Sequence, residues 1–269
     1  MLERATIRVV AGAAKLFLRY ACRSVRVSGR DAFLAAIATH ARRRRGVLTY
    51  CNHVSVMDEP TMWGTLPWWT FRDARTVRWT LTASDIMFTN RAVAWLAHQG
   101  QAIETVRGGG IFQPALPHAA GMLARGDWIH VFPEGSVNPA PPTHMRRFKW
   151  GISRLVLEPE PLPLVIPIYI SGFEHAMPES RAWPRVFPRA GADIRIAFGD
   201  ALPDHMLEAY RAAAAGGPLP PRPAAPAAHI YPEAPTPLAP GDSLHMATVR
   251  SHLAAYLRAE LMRVGERAM

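Results

Sequence analysis

Two short apolar runs, Val47 to Cys51 and Trp128 to Phe132, each stop at a polar turn: Asn52-His53 follows the first and Pro133-Glu134-Gly135 the second. Runs of this length without polar alternation suit strands buried on both faces, which requires helices above and below a sheet. The rest of the chain supplies them. Helices are expected at 31 to 40, from near Ser55, at Arg91 to His98 and at 114 to 125. Strands are expected at Thr76 to Thr82, Ala102 to Val106, Val165 to Ile170 and Ala192 to Phe198. Such alternation specifies an α/β fold, in which polar turns at strand ends are the usual place for a site.

Composition narrows the class of partner. Hydrophobic residues make up 49% of the 269 and charged residues 19%, an apolar balance for an enzyme that works in water alone. The net charge of +10 draws the chain to anionic surfaces. The basic residues follow no nucleic-acid-binding pattern, so the expected surface is lipid and no nucleic acid partner is expected. No apolar run reaches the roughly 18 to 20 residues that span a bilayer. Cys22 and Cys51 cannot build a disulfide framework, and no Cys/His cluster has metal-ligand spacing, so neither metal nor cofactor is expected.

One catalytic domain fits this length. The expected organisation is an amphipathic membrane-association helix within 1–28, a catalytic domain at 29–211, a Pro/Ala-rich insert at 212–242 and a C-terminal helix at 243–269. That last helix, with Asp242 or Ser243 as its cap, carries an apolar stripe of Leu253, Tyr256, Leu257, Leu261 and Val264. At about 100° per residue, Arg4, Arg8, Lys15 and Arg19 form a narrow basic stripe opposite Ile7, Val10, Ala14, Phe17 and Leu18. The arrangement reads as an interfacial helix, with Arg8 near headgroups and Phe17 in the acyl region. Packing on the protein's own core and a cleaved import sequence are the competing readings, with Glu3 against the second. The run Arg42 to Arg45 adds a basic patch. In the stretch 60 to 71, Trp63, Trp68 and Trp69 around two prolines favour interfacial anchoring over core packing.

The chemistry centres on His53 and Asp58. A hydroxyl attacking an ester needs a base near neutral pH, and a carboxylate on the far imidazole nitrogen would hold the tautomer and stabilise the imidazolium. Residues five apart on a regular helix differ by about 140°, so the two side chains meet only if His53 lies in the turn before the helix.

The blocks NHVSVMD and FPEG resemble, in sequence and in order, those of the glycerolipid acyltransferase family. TVRGG is similar to the family's second block, in which an arginine contacts the substrate phosphate; the matching residue is Arg107. VIPIYISG, with Pro167 at its centre, is similar to the fourth. More narrowly, NHVSVMDEP, DIMFTN, GDWIHVFPEG and RRFKWGISRL resemble a mitochondrial branch that exchanges acyl chains between phospholipids and lysophospholipids and remodels cardiolipin.

The resemblance spans residues 5 to 200. It implies an acyltransferase-like α/β fold, a central mixed sheet flanked by helices with an N-terminal interfacial helix, attached monotopically to a membrane. It makes His53 the base and Asp58 its orienting partner, with Arg107, Glu134, Gly135, Asn52 and Ser55 at the substrate. A guanidinium beside a glycine run suits phosphate oxygens. A carboxylate does not, so Glu134 is expected to bind the glycerol hydroxyl or to hold Arg107. Implied partners are cardiolipin, monolysocardiolipin and phosphatidylcholine in mitochondrial membranes facing the intermembrane space; a homo-oligomer is compatible. Glu59 replaces an aspartate of that branch, and Ser136 the lysine of its animal members.

An acyl-CoA-dependent lysophospholipid (1-acylglycerophosphate type) acyltransferase would use the same dyad; the RFKWG block favours the CoA-independent reaction. A non-catalytic anion-binding protein and a hydrolase are the remaining alternatives, and no GxSxG elbow supports a serine hydrolase.

Overall fold

The computed structural model describes residues 2–43, 45–72, 76–142, 144–179, 187–221 and 241–269. Among them seven strands form one mixed sheet in the order β1-β7-β6-β2-β5-β3-β4. These are β1 (Ser24–Ser28), β2 (Val47–Cys51), β3 (Trp79–Ala83), β4 (Ala102–Thr105), β5 (Trp128–Val131), β6 (Leu164–Ser171) and β7 (Asp193–Phe198). All neighbours are parallel except β6 and β7. The helices are α1 (Leu2–Leu16), α2 (Arg30–Arg43), α3 (Asp58–Met62), α4 (Ser84–Met87), α5 (Arg91–Gln99), α6 (Ala115–Ala124), α7 (Gly151–Leu157), α8 (Phe173–Ala176), α9 (Asp204–Ala214) and α10 (Leu244–Ala268).

Every residue of β2 is buried, as is every residue of β5, because apolar layers cover both faces of the sheet. On one face α6, α7, α9 and α10 supply Leu123, Leu155, Leu207 and Leu257; on the other α1, α2 and α8 supply Ile7, Phe33 and Phe173. The stripe read for the last helix is buried throughout. Ser243 is its cap, accepting the Met246 N–H, while Asp242 pairs with buried Arg250.

β1, α4, α7, α8 and α9 have no counterpart among the expected elements. α9 carries the chain through Ala214, inside the expected insert, because Leu207, Tyr210 and Ala213 form a buried face. Of 212–242, residues 222–240 lie outside the described residues. β3 begins at Trp79, three residues later than expected.

The N-terminal helix corrects an expectation. Ile7, Ala11, Ala14 and Leu18 are buried, and Phe17 packs partly buried against the same core. Lys15, assigned to the basic stripe, turns inward and donates to the carbonyls of Gly64 and Leu66. The core thus takes the face expected in lipid. Val9, Leu16 and Tyr20 point the other way at 71%, 61% and 79% exposure, with Arg8 and Arg19 exposed on one flank. Trp68 and Trp69, 51% and 40% exposed, continue this surface: Trp68 lies beside Gly12 and under the Lys15 ammonium. Trp63 departs from the interfacial expectation. It is 2% exposed, edge-on to Trp128 and His130, with its indole N–H on Glu59. Arg45 is a clamp, bound to Asp204 and to the carbonyls of Leu162 and Pro163. The side chains of Arg42 and Arg43, with Arg44, lie outside the described residues. No described helix is long and apolar enough to cross a membrane.

Candidate active site

The site forms where β2 leaves the sheet. Asn52 makes two bonds to the backbone of Ile170 on β6, Nδ2 to its carbonyl at 2.8 Å and Oδ1 from its N–H at 3.0 Å. This side-chain rung prolongs the ladder by one residue and fixes the direction in which His53 emerges. The chain then turns, and α3 starts at Asp58. His53 therefore stands ahead of the helix, with its Nδ1 3.0 Å from Asp58 Oδ2. The same oxygen accepts the N–H groups of Val54 at 2.6 Å and Ser55 at 2.9 Å. Asp58 is fully buried. Burial raises its carboxyl, opposed by the His53 bond and by the two backbone donors. With Nδ1–H on Asp58, Nε2 is left as the acceptor. The imidazole is 19% exposed and lies over Phe132, ring centroids 4.2 Å apart.

The second motif braces the first. Glu134, 2% exposed, accepts the His53 backbone N–H on Oε1 at 3.0 Å. Its Oε2 accepts Asn138 Nδ2 at 2.9 Å and the Arg146 N–H at 3.1 Å. Asn138 returns its own N–H to the His53 carbonyl at 2.7 Å. One buried carboxylate thus ties together the turns after β2 and β5 and the segment 144–149. Burial raises the Glu134 carboxyl, while these donors oppose the shift. Gly135 has φ +79°, a left-handed conformation that suits glycine, and is exposed at the tip of the turn.

Beneath the dyad lies a second polar layer. Glu59, next to Asp58 on α3, takes a forked pair of bonds from Arg78 at 2.7 and 2.6 Å and one from Thr80 at 2.7 Å. Burial would raise this carboxyl, but Arg78 and Thr80 hold it below its usual value. The clamp fastens the start of α3 to β3. His130 is buried between Thr49 Oγ1 at 2.8 Å and Cys51 Sγ at 3.4 Å; desolvation pulls its pKa down to about 3, so the ring stays neutral.

Several expected substrate contacts are otherwise employed. Asn52 and Ser55 are 1% and 0% exposed; Ser55 Oγ donates to the Met177 carbonyl at 2.8 Å. Both shape the turn. Glu134 holds His53 and Arg146, and does not hold Arg107. Arg107 follows β4, three strand positions from β2, or about 14 Å across the sheet. It is exposed and paired with Asp85 at 3.2 Å. Asn138, Arg146, Glu59 and Arg78 were not singled out as site residues. Asn138 and Arg146 lie near or within the conspicuous RRFKWG block, but nothing in its spacing points to Glu134.

The family model described as Acyltransferase matches residues 25–171. The chain is 32% identical to the tafazzin of Saccharomyces cerevisiae over 248 residues, 78% of this chain and 65% of that protein. It is 36% identical to the taffazin of Dictyostelium discoideum over 192 residues, 70% of this chain and 66% of that protein. It is also 35% identical to the N-acylphosphatidylethanolamine synthase of Arabidopsis thaliana over 160 residues, 58% of this chain and 55% of that protein. The chain therefore spans less than two thirds of the length of these relatives.

Proposed function

The chain belongs to the acyltransferase family, and we propose that it moves fatty acyl groups between phospholipids and lysophospholipids at a membrane surface without CoA, with cardiolipin remodelling in mitochondria as the physiological reaction. The observation that carries acyl transfer is the dyad, a base oriented by a buried carboxylate with no nucleophilic side chain bonded to its Nε2 among the described residues; the RFKWG block favours the CoA-independent form. The nearby Ser55 and Cys51 are buried and face other partners. The nucleophile must come from the substrate.

His53 Nε2 takes the proton of the lysolipid hydroxyl as its oxygen attacks the acyl carbonyl of the donor. Asp58 stabilises the resulting imidazolium. The tetrahedral intermediate collapses by expelling the donor's glycerol oxygen, which receives the proton from Nε2. One ester bond forms and one breaks, so the donor leaves as a lysolipid and no acyl-enzyme arises.

The outward apolar stripe of Val9, Leu16 and Tyr20, continuous with Trp68 and flanked by Arg8 and Arg19, supports attachment to one leaflet. The relatives named tafazzin support lipid acyl transfer; the transacylase reaction and the mitochondrial membranes facing the intermembrane space are proposed from the resemblance of the NHVSVMDEP, DIMFTN and RRFKWGISRL blocks. Protease protection of fractionated mitochondria tests that location. The synthase relative favours a second reading, in which the acceptor is the amine of phosphatidylethanolamine.

The assay incubates purified protein with vesicles of labelled phosphatidylcholine and monolysocardiolipin, free of CoA. Labelled cardiolipin is the expected product. Transfer that appears only on adding acyl-CoA sinks the transacylase reading, and an alkali-stable amide formed from phosphatidylethanolamine establishes the amine acceptor.

A further inference from the structure

The aromatic side chains of β5 form a column that ends at the base. Successive residues of a strand point to opposite faces, so Trp128, His130 and, one position past the strand, Phe132 share a face, while Ile129 and Val131 enter the core on the other. β2 runs parallel beside β5 with Thr49 opposite His130, so the chain leaving β2 at His53 passes beside Phe132. The His53 and Phe132 rings lie 4.2 Å apart between centroids, with their planes 31° from parallel. On its other side Phe132 meets His130 at 4.9 Å and 89°, and His130 in turn meets Trp63 at 4.9 Å and 90°.

This column holds the phenyl ring against the base. It also decides which neighbour can carry charge. The nitrogens of His130 meet Thr49 Oγ1 and Cys51 Sγ, and burial keeps that imidazole neutral. The ring that turns cationic against Phe132 as the acceptor loses its proton is therefore His53. An aromatic face carries negative charge density and attracts a cation within about 6 Å of its centroid. A neutral imidazole gains little from that face and an imidazolium much more, so the contact strengthens as the transition state forms and acts on kcat, not on KM. Asp58 meets the imidazole in its plane at Nδ1, whereas Phe132 meets it from the face, so the two act from different directions.

We infer that Phe132 is a positioning residue for acyl transfer, whose ring face keeps the His53 imidazole in place on Asp58 and stabilises the imidazolium by a cation–π contact; the inference rests on the acyl-transfer reading above.

The test replaces Phe132 by phenylalanines carrying one, two or three ring fluorines, which withdraw electron density from the face with almost no change of shape. Phe132→Leu removes the face and keeps an apolar side chain. Each protein is assayed with one labelled phosphatidylcholine donor and either lysophosphatidylcholine or monolysocardiolipin as acceptor, beside thermal unfolding of the same preparation. With three fluorines kcat should have fallen stepwise by about 5- to 30-fold, the range of a partly desolvated cation–π contact, while KM for each lipid changes less than about twofold. The factor should be the same for both acceptors, because the imidazolium is common to them, and a folded Phe132→Leu should lose at least as much. The fluorinated series decides even where the leucine variant unfolds. A flat kcat series, a change confined to KM, a factor that differs between acceptors, or a loss that tracks unfolding overturns the inference while wild-type transfer leaves the acyl-transfer reading intact. A wild-type protein that transfers no acyl group here or in the assay above overturns both.

Discussion

Replacing Asp58 by asparagine isolates the charge of the dyad from its geometry. Asp58 Oδ2 accepts from His53 Nδ1, Val54 N and Ser55 N, while Oδ1 is buried with no hydrogen-bond partner among the described residues. An asparagine keeps its carbonyl oxygen at the Oδ2 position, because the opposite flip would aim its amide N–H groups at these donors. The imidazole tautomer survives, and what disappears is the negative charge facing the imidazolium of the transition state. At roughly 4 Å between charge centres and an effective dielectric of about 20, that attraction is about 4 kcal/mol. We expect kcat to fall about a thousandfold, since each 1.4 kcal/mol or so is one decade. The amide nitrogen would occupy the partnerless Oδ1 site, a cost of about 1 to 3 kcal/mol in stability. Initial rates of transfer from labelled phosphatidylcholine, read beside thermal unfolding of the same preparation, measure both. A folded Asp58→Asn variant within tenfold of wild type would refute the imidazolium argument, and a loss equal to that of His53→Ala would show that orientation and not charge dominates.

Two further outcomes follow from burial. His130 is neutral when folded but takes up a proton near pH 6.5 when unfolded, so its contribution is fully present above pH 6.5 and is lost as pH falls toward about 3. Each pH unit inside that window costs about 1.4 kcal/mol, and chemical denaturation at pH 4.5 and 6 should show a shallower dependence in His130→Gln than in wild type. Trp63 is core and Trp68 and Trp69 are surface, so Trp63→Ala should lose about 3 to 5 kcal/mol in denaturant titration. The double variant Trp68→Ser, Trp69→Ser should lose less than about 1 kcal/mol yet sediment with far fewer anionic vesicles; equal binding to wild type would exclude the tryptophans from the membrane surface.

The spacing of His53 and Asp58 already dictated that the histidine precede its helix, because a five-residue offset on a helix points two side chains apart. The apolar runs at β2 and β5 were legible for a similar reason: strands covered on both faces tolerate no polar alternation, and their polar turns must lie at the ends. The stripe of α10 was legible because a long helix repeats its burial several times.

Other features were not local. α1 is apolar on two sides, so periodicity alone could not decide that Ile7, Ala14 and Leu18 meet the core while Val9, Leu16 and Tyr20 remain outside. The same ambiguity hid the fate of Trp63, which only its packing on Trp128 resolves. Glu134 was legible as part of a motif but not in its role. Its partners His53 and Arg146 come from the turn after β2 and from the segment 144–149, and bonds between distant segments leave no periodic trace. The sequence alone determined that the candidate pair His53 and Asp58 follows one buried strand and Glu134 another. The tertiary structure decided that Asp58 meets the His53 ring while Glu134 braces its backbone, and that Trp63 joins the core, because those assignments depend on distances between segments that the chain brings together only on folding.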